Sequence, residues 1–181
     1  SSFPTAGCCN PLRSLQKVEG ALKVFRHTTL FYNKVTAKHS FEYKYSDFRR
    51  WTKARGKKPV VQIIKYDLVL IPCNVNENHW TLAVINFKLK RLEYYDSLKG
   101  EKQGLFENLR RYIKDEARDK SGKKNYDLSD WGEFVPVPGK DIPGQENGCD
   151  CGMFTLEYAY CLTTGITLGA SWPFAQNKIP D

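Results

Sequence analysis

The run Asn78-His79-Trp80-Thr81-Leu82-Ala83-Val84-Ile85 decides the architecture, together with Arg91-Leu92-Glu93-Tyr94-Tyr95-Asp96-Ser97, which follows a turn near residues 88–90. Trp80, Thr81, Val84 and Ile85 in the first run and Tyr94 and Tyr95 in the second are strand-type residues, and two such runs joined by a short turn predict an antiparallel hairpin. Residues 81–87 are almost continuously apolar. That is the composition of a strand covered on both faces, so the first strand is expected at the centre of the sheet. The turn carries Asp96 back to within a few residues of His79 at one end of the hairpin. An acid beside an imidazole makes an oriented base, provided both face the same side. Taken singly, His79 is a strand-edge histidine and Asp96 a turn-initiating cap. Together they mark a candidate site.

A second signal lies downstream, in Gln145-Glu146-Asn147-Gly148-Cys149-Asp150-Cys151-Gly152, which runs into the apolar segment Met153-Phe154-Thr155-Leu156. The switch from polar to apolar residues predicts a helix beginning at Asp150 or Cys151. A cysteine in a first helical turn meets unpaired backbone N–H groups and the positive end of the helix dipole, which favour thiolate over thiol. Gln145, upstream of it, offers a side-chain amide able to donate to a developing oxyanion. Alone, Cys151 reads more readily as a buried core residue, the commoner fate of such a cysteine. A histidine, an acid and an amide donor beside it make the nucleophilic reading the stronger one.

Around these segments the chain reads as mixed helix and antiparallel sheet, an α+β layer architecture. Its 181 residues, 41% hydrophobic, can bury one core. Residues 1–20 are weakly patterned, and 21–181 are expected to form a single domain. Leu22, Phe25, Leu30 and Phe31 predict helical material over 21–31. Tyr45, Phe48 and Trp51, spaced three apart, predict a short helix ending near Arg55-Gly56. Strands are expected at 60–64 and 67–72. Leu105, Leu109, Tyr112, Ile113 and Ala117 mark an amphipathic helix, residues 122–130 a polar loop, and residues 131–137 a last strand. His27 and His39 lie in polar, weakly structured surroundings and read as surface residues.

No apolar segment approaches the roughly 20 residues that a membrane span needs. Residues 1–10 have neither a basic leader nor an apolar h-region, so no secretory signal is expected. The six cysteines, at 8, 9, 73, 149, 151 and 161, include no Cys-x-x-Cys and no neighbouring histidine pair. A zinc site is therefore disfavoured, and reduced thiols in a nuclear or cytoplasmic compartment fit best. No cofactor is implied. Cys149 reads as a small core or turn residue. The net charge of +8 concentrates at Arg49–Lys58 and recurs at Lys120–Lys124. Such patches suit nucleic acid or an acidic protein partner, and no recognition motif accompanies them, so nucleic acid ranks last.

The segments Asn78-His79-Trp80-Thr81-Leu82-Ala83-Val84-Ile85, Tyr94-Tyr95-Asp96-Ser97 and Gln145–Phe154 together resemble the Ulp/sentrin-specific proteases, from about His27 to Pro180. Arg50-Trp51-Thr52-Lys53 resembles a basic helix of that family, and Asp67–Pro72 its strand ahead of the histidine. The resemblance implies a papain-like cysteine protease fold, a central, mostly antiparallel sheet flanked by helices. It implies cleavage after the C-terminal Gly-Gly of SUMO, in precursor maturation or deconjugation, by a monomeric domain with SUMO and its conjugates as partners. By the same resemblance Cys151 is the nucleophile, His79 the base and then the acid, and Asp96 the group that orients it. Gln145 donates to the oxyanion, and Trp80 closes a tunnel over the Gly-Gly tail. Residues 1–20 lack the Trp-Leu-Asn-Asp helix with which such domains open, and the chain stops at Asp181 ahead of the family's final helix, so both ends are expected to be abbreviated. The alternatives are a protease for another ubiquitin-like modifier, or a SUMO-binding pseudo-enzyme with little turnover.

Overall fold

In a computed structural model, residues 21–36, 42–54, 56, 59–100 and 104–166 are described. The expectations for residues 1–20, for His39 and for the chain end beyond Ile166 fall outside them. The frame is a five-stranded sheet in the order β1-β2-β3-β4-β5. Its strands are β1 (Val24–Arg26), β2 (Leu68–Val75), β3 (His79–Asn86), β4 (Arg91–Tyr95) and β5 (Gly132–Phe134). The long antiparallel pairings β2–β3 and β3–β4 form the middle, and three-residue parallel pairings add β1 and β5 at the edges. By paired residues the sheet is mostly antiparallel, with β3 at its centre as its apolar run requires.

Side-chain alternation sorts the core into two layers. Val69, Ile71, Cys73, Ala83, Ile85, Leu92 and Tyr94 face helix α1 (Leu30–Val35) and helix α2 (Leu105–Ser121), meeting Phe31, Leu105, Leu109, Tyr112 and Ile113. Leu68, Leu70, Leu82, Val84 and Tyr95 face helix α3 (Cys151–Thr164) through Phe154 and Tyr158. Helices thus cover both faces, an α+β arrangement. The α2 stripe at Leu105, Leu109, Tyr112, Ile113 and Ala117 is buried, as its period demands.

Three local expectations need correction. Residues 24–26 are strand, not helix, because Val24 and Phe25 find an open edge on β2, and the ladder continues with the His27 N–H donating to the Leu70 carbonyl at 2.9 Å. The helix begins only at Leu30. Residues 60–64 do not form a strand: β1 already holds the edge of β2, and Ile63–Lys65 closes instead into a 3₁₀ turn. The helix expected from Tyr45, Phe48 and Trp51 is two 3₁₀ turns, Tyr45–Asp47 and Arg49–Thr52. A spacing of three is the 3₁₀ repeat itself, in which i and i+3 eclipse.

Candidate active site

The hairpin brings the acid to the histidine. Leu82 pairs with Tyr95, so one step further sets Asp96 across from Thr81, on the face that His79 shares two residues away. The His79 Nε2 lies 2.7 Å from Asp96 Oδ1. A carboxylate only accepts, so Nε2 donates and Nδ1 is left as the basic nitrogen. Asp96 is 4% exposed and is held from behind by its own loop. The Leu98 N–H donates to Oδ1 and the Gly100 N–H to Oδ2, each at 2.8 Å. Lys99 takes a left-handed φ of 61° to complete this wrap. At Gly100 an added Cβ would stand 2.5 Å from Asp96 Oδ2, so the loop closes this tightly only around a glycine.

Cys151 opens α3, and its Sγ accepts the Trp80 N–H at 3.4 Å. That contact sets the sulfur against the peptide next to His79. Asp150 occupies the N-cap and makes no side-chain cap hydrogen bond there, and its carboxylate accepts the Asn147 Nδ2 at 2.6 Å. The first-turn amides and the positive end of the helix dipole lie at the sulfur end of the helix. Asn147 organises the approach, its Oδ1 accepting the Cys149 and Asp150 N–H groups at 3.2 and 3.1 Å. Cys149 is exposed, so it is a turn residue and not a core one; a loop already bent by Asn147 turns it outward. Burial pushes the Cys73 thiol up to about 12 and raises that of Cys161, the profile of inert structural cysteines.

Gln145 is buried behind the loop of Asp96. Its N–H donates to the Ser97 carbonyl at 3.2 Å, its Oε1 accepts the Ser97 hydroxyl at 2.5 Å, and its Nε2 donates to the Asn147 carbonyl at 2.5 Å. The half-buried Trp80 sits over the start of α3, its Cδ1 3.7 Å from where a Cβ on Gly152 would be. All five residues singled out in the sequence thus converge at one end of β3. Pattern reasoning missed Ser97, Gly100 and the Trp80 N–H. Of these only Gly100 carried a signal, as the glycine closing a short loop after the acid.

His27 is not a surface residue. It is 3% exposed, stacked on Phe31 at 3.8 Å between ring centroids, edge-on to Phe25, and bonded through Nε2 to the Tyr112 hydroxyl at 2.9 Å. Burial pushes its imidazole down to about 3. Within the basic stretch, Arg49 is bound to Asp119, while Arg50 and Lys53 are exposed. Among the described residues no cluster of His, Cys, Asp and Glu is arranged to hold a metal ion, and no helix is long and apolar enough to cross a membrane.

Residues 11–179 match the model of the Ulp1 protease family, C-terminal catalytic domain. The chain is 37% identical over 169 residues to the ubiquitin-like-specific protease ESD4 of Arabidopsis thaliana, covering 93% of this chain and 32% of that protein. It is 34% identical over 152 residues to sentrin-specific protease 2 of Mus musculus, covering 83% of this chain and 23% of that one. The chain therefore spans about a third or less of the length of these relatives. Among solved structures, the C-terminal Ulp1 protease domain in complex with Smt3, the yeast orthologue of SUMO, superposes with a TM-score of 0.65 at 25% identity. That likeness covers 87% of this chain and 62% of the other. The chain belongs to the Ulp1 protease family.

Proposed function

We propose that this member of the Ulp1 family is a thiol protease that cleaves after the C-terminal Gly-Gly of SUMO, in maturation, deconjugation or both. The observation that carries this reading is the 2.7 Å His79–Asp96 bond beside the Cys151 sulfur, which itself accepts the Trp80 N–H. His79 Nδ1 takes the thiol proton of Cys151, and the thiolate attacks the carbonyl of the terminal glycine. The resulting oxyanion is held by the Cys151 N–H and the Gln145 Nε2, donors of a kind worth ~3 kcal/mol each in the transition state. The imidazolium gives its proton to the departing amine, which for a conjugate is a lysine ε-amine. Asp96 keeps the imidazole in its productive tautomer and stabilises its charged form. Water, deprotonated by His79, then hydrolyses the thioester.

Trp80 is the wall against which the Gly-Gly tail lies, since residues without side chains pass closest to a flat indole. Arg50 and Lys53, exposed and cationic, suit an acidic modifier surface. The domain works as a monomer, without cofactor, in the nucleus or cytoplasm, where thiols stay reduced.

A panel of ubiquitin-like modifiers bearing a C-terminal electrophile tests the reading. Covalent capture of the SUMO probe at Cys151, lost in Cys151→Ala, is the expected result. Preferential capture of another modifier would redirect the substrate. Tight binding of SUMO without capture would make the chain a binding module.

A further inference from the structure

Gln145 carries the oxyanion amide in the reading above, and a primary amide can present either its oxygen or its nitrogen. Flipping it would replace a donor by a carbonyl and turn stabilisation of the oxyanion into repulsion. Two contacts decide the matter. The Asn147 carbonyl, 2.5 Å from Nε2, can only accept, so the nitrogen must face it. The Ser97 hydroxyl, 2.5 Å from Oε1, donates and holds the oxygen on the opposite side. Nε2 has two hydrogens, so with one spent on Asn147 the other remains to donate outward. Ser97 is 3% exposed and Gln145 8%, so water does not compete for either contact.

Ser97 also follows Asp96 directly, and its carbonyl accepts the Gln145 N–H. The loop that grips the orienting carboxylate through the Leu98 and Gly100 amides therefore grips the oxyanion donor through Ser97. We propose that Ser97 is a positioning residue for the reaction, setting the Gln145 amide with its second N–H toward the oxyanion. This rests on the proposed thiol protease function.

The test compares wild type, Ser97→Ala, Gln145→Ala and the double variant. Five quantities are measured: kcat and KM on a SUMO–aminocoumarin substrate, the rate of inactivation by iodoacetamide, the melting temperature, and the Gln145 side-chain NH₂ signals by NMR. Alkylation of a thiolate passes through no oxyanion, so it reports on Cys151, His79 and Asp96 alone. Ser97→Ala is expected to lower kcat about tenfold, below the ~10²–10³ lost when an oxyanion donor itself is removed. KM, inactivation rate and melting temperature stay within about twofold or a few degrees of wild type. The double variant is no slower than Gln145→Ala, and the Gln145 NH₂ pair loses its wild-type dispersion in Ser97→Ala.

A wild-type kcat in Ser97→Ala, independent multiplication of the two losses, or an equal slowing of alkylation would each overturn the role. A wild type inactive on every modifier substrate would instead sink the protease reading. The NH₂ signals would still decide whether Ser97 orients the amide, and an unchanged pair would overturn that.

Discussion

His79 and His27 are both enclosed by the fold and serve opposite ends. His79 stands at the open end of β3, 18% exposed, with a carboxylate on Nε2 and its other nitrogen unclaimed by that acid. His27 is sealed among Phe25, Phe31 and Tyr112, bonded to a neutral hydroxyl and pushed down to about 3. The first environment fixes the ring against an acid, and the second, by burial, forbids an imidazolium. On the proposed mechanism, the same side chain is a base or a piece of aromatic packing according to whether a carboxylate or a ring stands beside it.

The largest test is to remove each histidine. Cleavage by His79→Ala or Cys151→Ala should fall at least ~10⁴-fold, with the melting temperature within a few degrees of wild type. His27→Ala should do the reverse. It deletes a stacked ring from the core and leaves the Tyr112 hydroxyl unpaired, a loss of about 3 kcal/mol. Its kcat per folded molecule should stay near wild type. Activity and denaturation measurements on the same preparations decide, and a His27→Ala protein that is stable but inactive would erase the contrast.

Next in size is Gly100→Ala. The new methyl would stand 2.5 Å from Asp96 Oδ2, so the carboxylate or the loop must move. A displacement approaching 1 Å at an orienting group costs on the order of 10² in rate. Most of the loss should fall on kcat, while the core beneath, formed by β3 and α3, stays intact. Full activity would mean that the loop wraps Asp96 without positioning it.

The hairpin, the central place of β3 and the start of α3 were all legible from local pattern. Alternation, turn length and a polar-to-apolar switch depend on neighbours within a dozen residues. His79 and Asp96 could be tied together because the hairpin register is almost forced, whereas Cys151 joined them only through the combination of nucleophile, base and acid and through the family resemblance. The burial of His27 was not legible, since its partner Tyr112 comes from 85 residues away. Val60–Ile64 failed for a related reason. Its composition suits a strand, but Val24–Arg26 takes the only edge of β2 it could have used. In the sequence Ser97 is only the end of a motif, because the side-chain geometry that links it to Gln145 has no sequence signature.

The two regions also differ in how they respond to pH. His27 takes up a proton at 6.5 when unfolded and only near 3 when folded, so the unfolded chain binds more protons between. Its stability contribution is complete above 6.5 and is lost as pH falls toward 3. Beside the same aromatic cluster, Glu116 is 1% exposed and burial raises its carboxyl to about 7. It is bonded to Tyr45 and Thr52 through Oε1, while Oε2 has no partner among the described residues. Neighbouring Asp119 is held below the usual carboxylate range by its bond from Arg49, and so titrates outside this window. Glu116 therefore contributes fully below 4.5, and stability is lost as pH rises through 7. Between 4.5 and 6.5 the two slopes oppose. Glu116→Gln should expose stability that rises with pH, and His27→Phe stability that falls with it, each by about 1 kcal/mol per pH unit. Parallel denaturant titrations at pH 4.5, 5.5 and 6.5 read both, and slopes of the same sign would show that one of these groups is not sealed as described.

The smallest effect sharpens the His79 side. β2 and β3 are joined by a turn in which the Asn78 N–H donates to the Val75 carbonyl, and Val75 pairs with His79. Both central residues, Asn76 and Glu77, have positive φ, at 51° and 65°. A turn of this kind matches the twist of the flanking strands and favours Asn-Gly, so Asn76 fits while Glu77 bears a Cβ in a left-handed conformation. Relief of that strain is worth ~1–2 kcal/mol, and the added freedom of glycine in the unfolded chain returns part of it. Glu77→Gly should accordingly raise stability by up to about 1 kcal/mol, seen as a higher denaturant midpoint at unchanged slope. Its effect on kcat decides something further. The register through Val75 and His79 is held by eight paired residues of β2 and β3, so relaxing the turn should leave His79 against Asp96 and cleavage unaltered. A fall in kcat with the gain in stability would mean that the strain itself sets the imidazole. The base would then depend on its turn as well as on its acid.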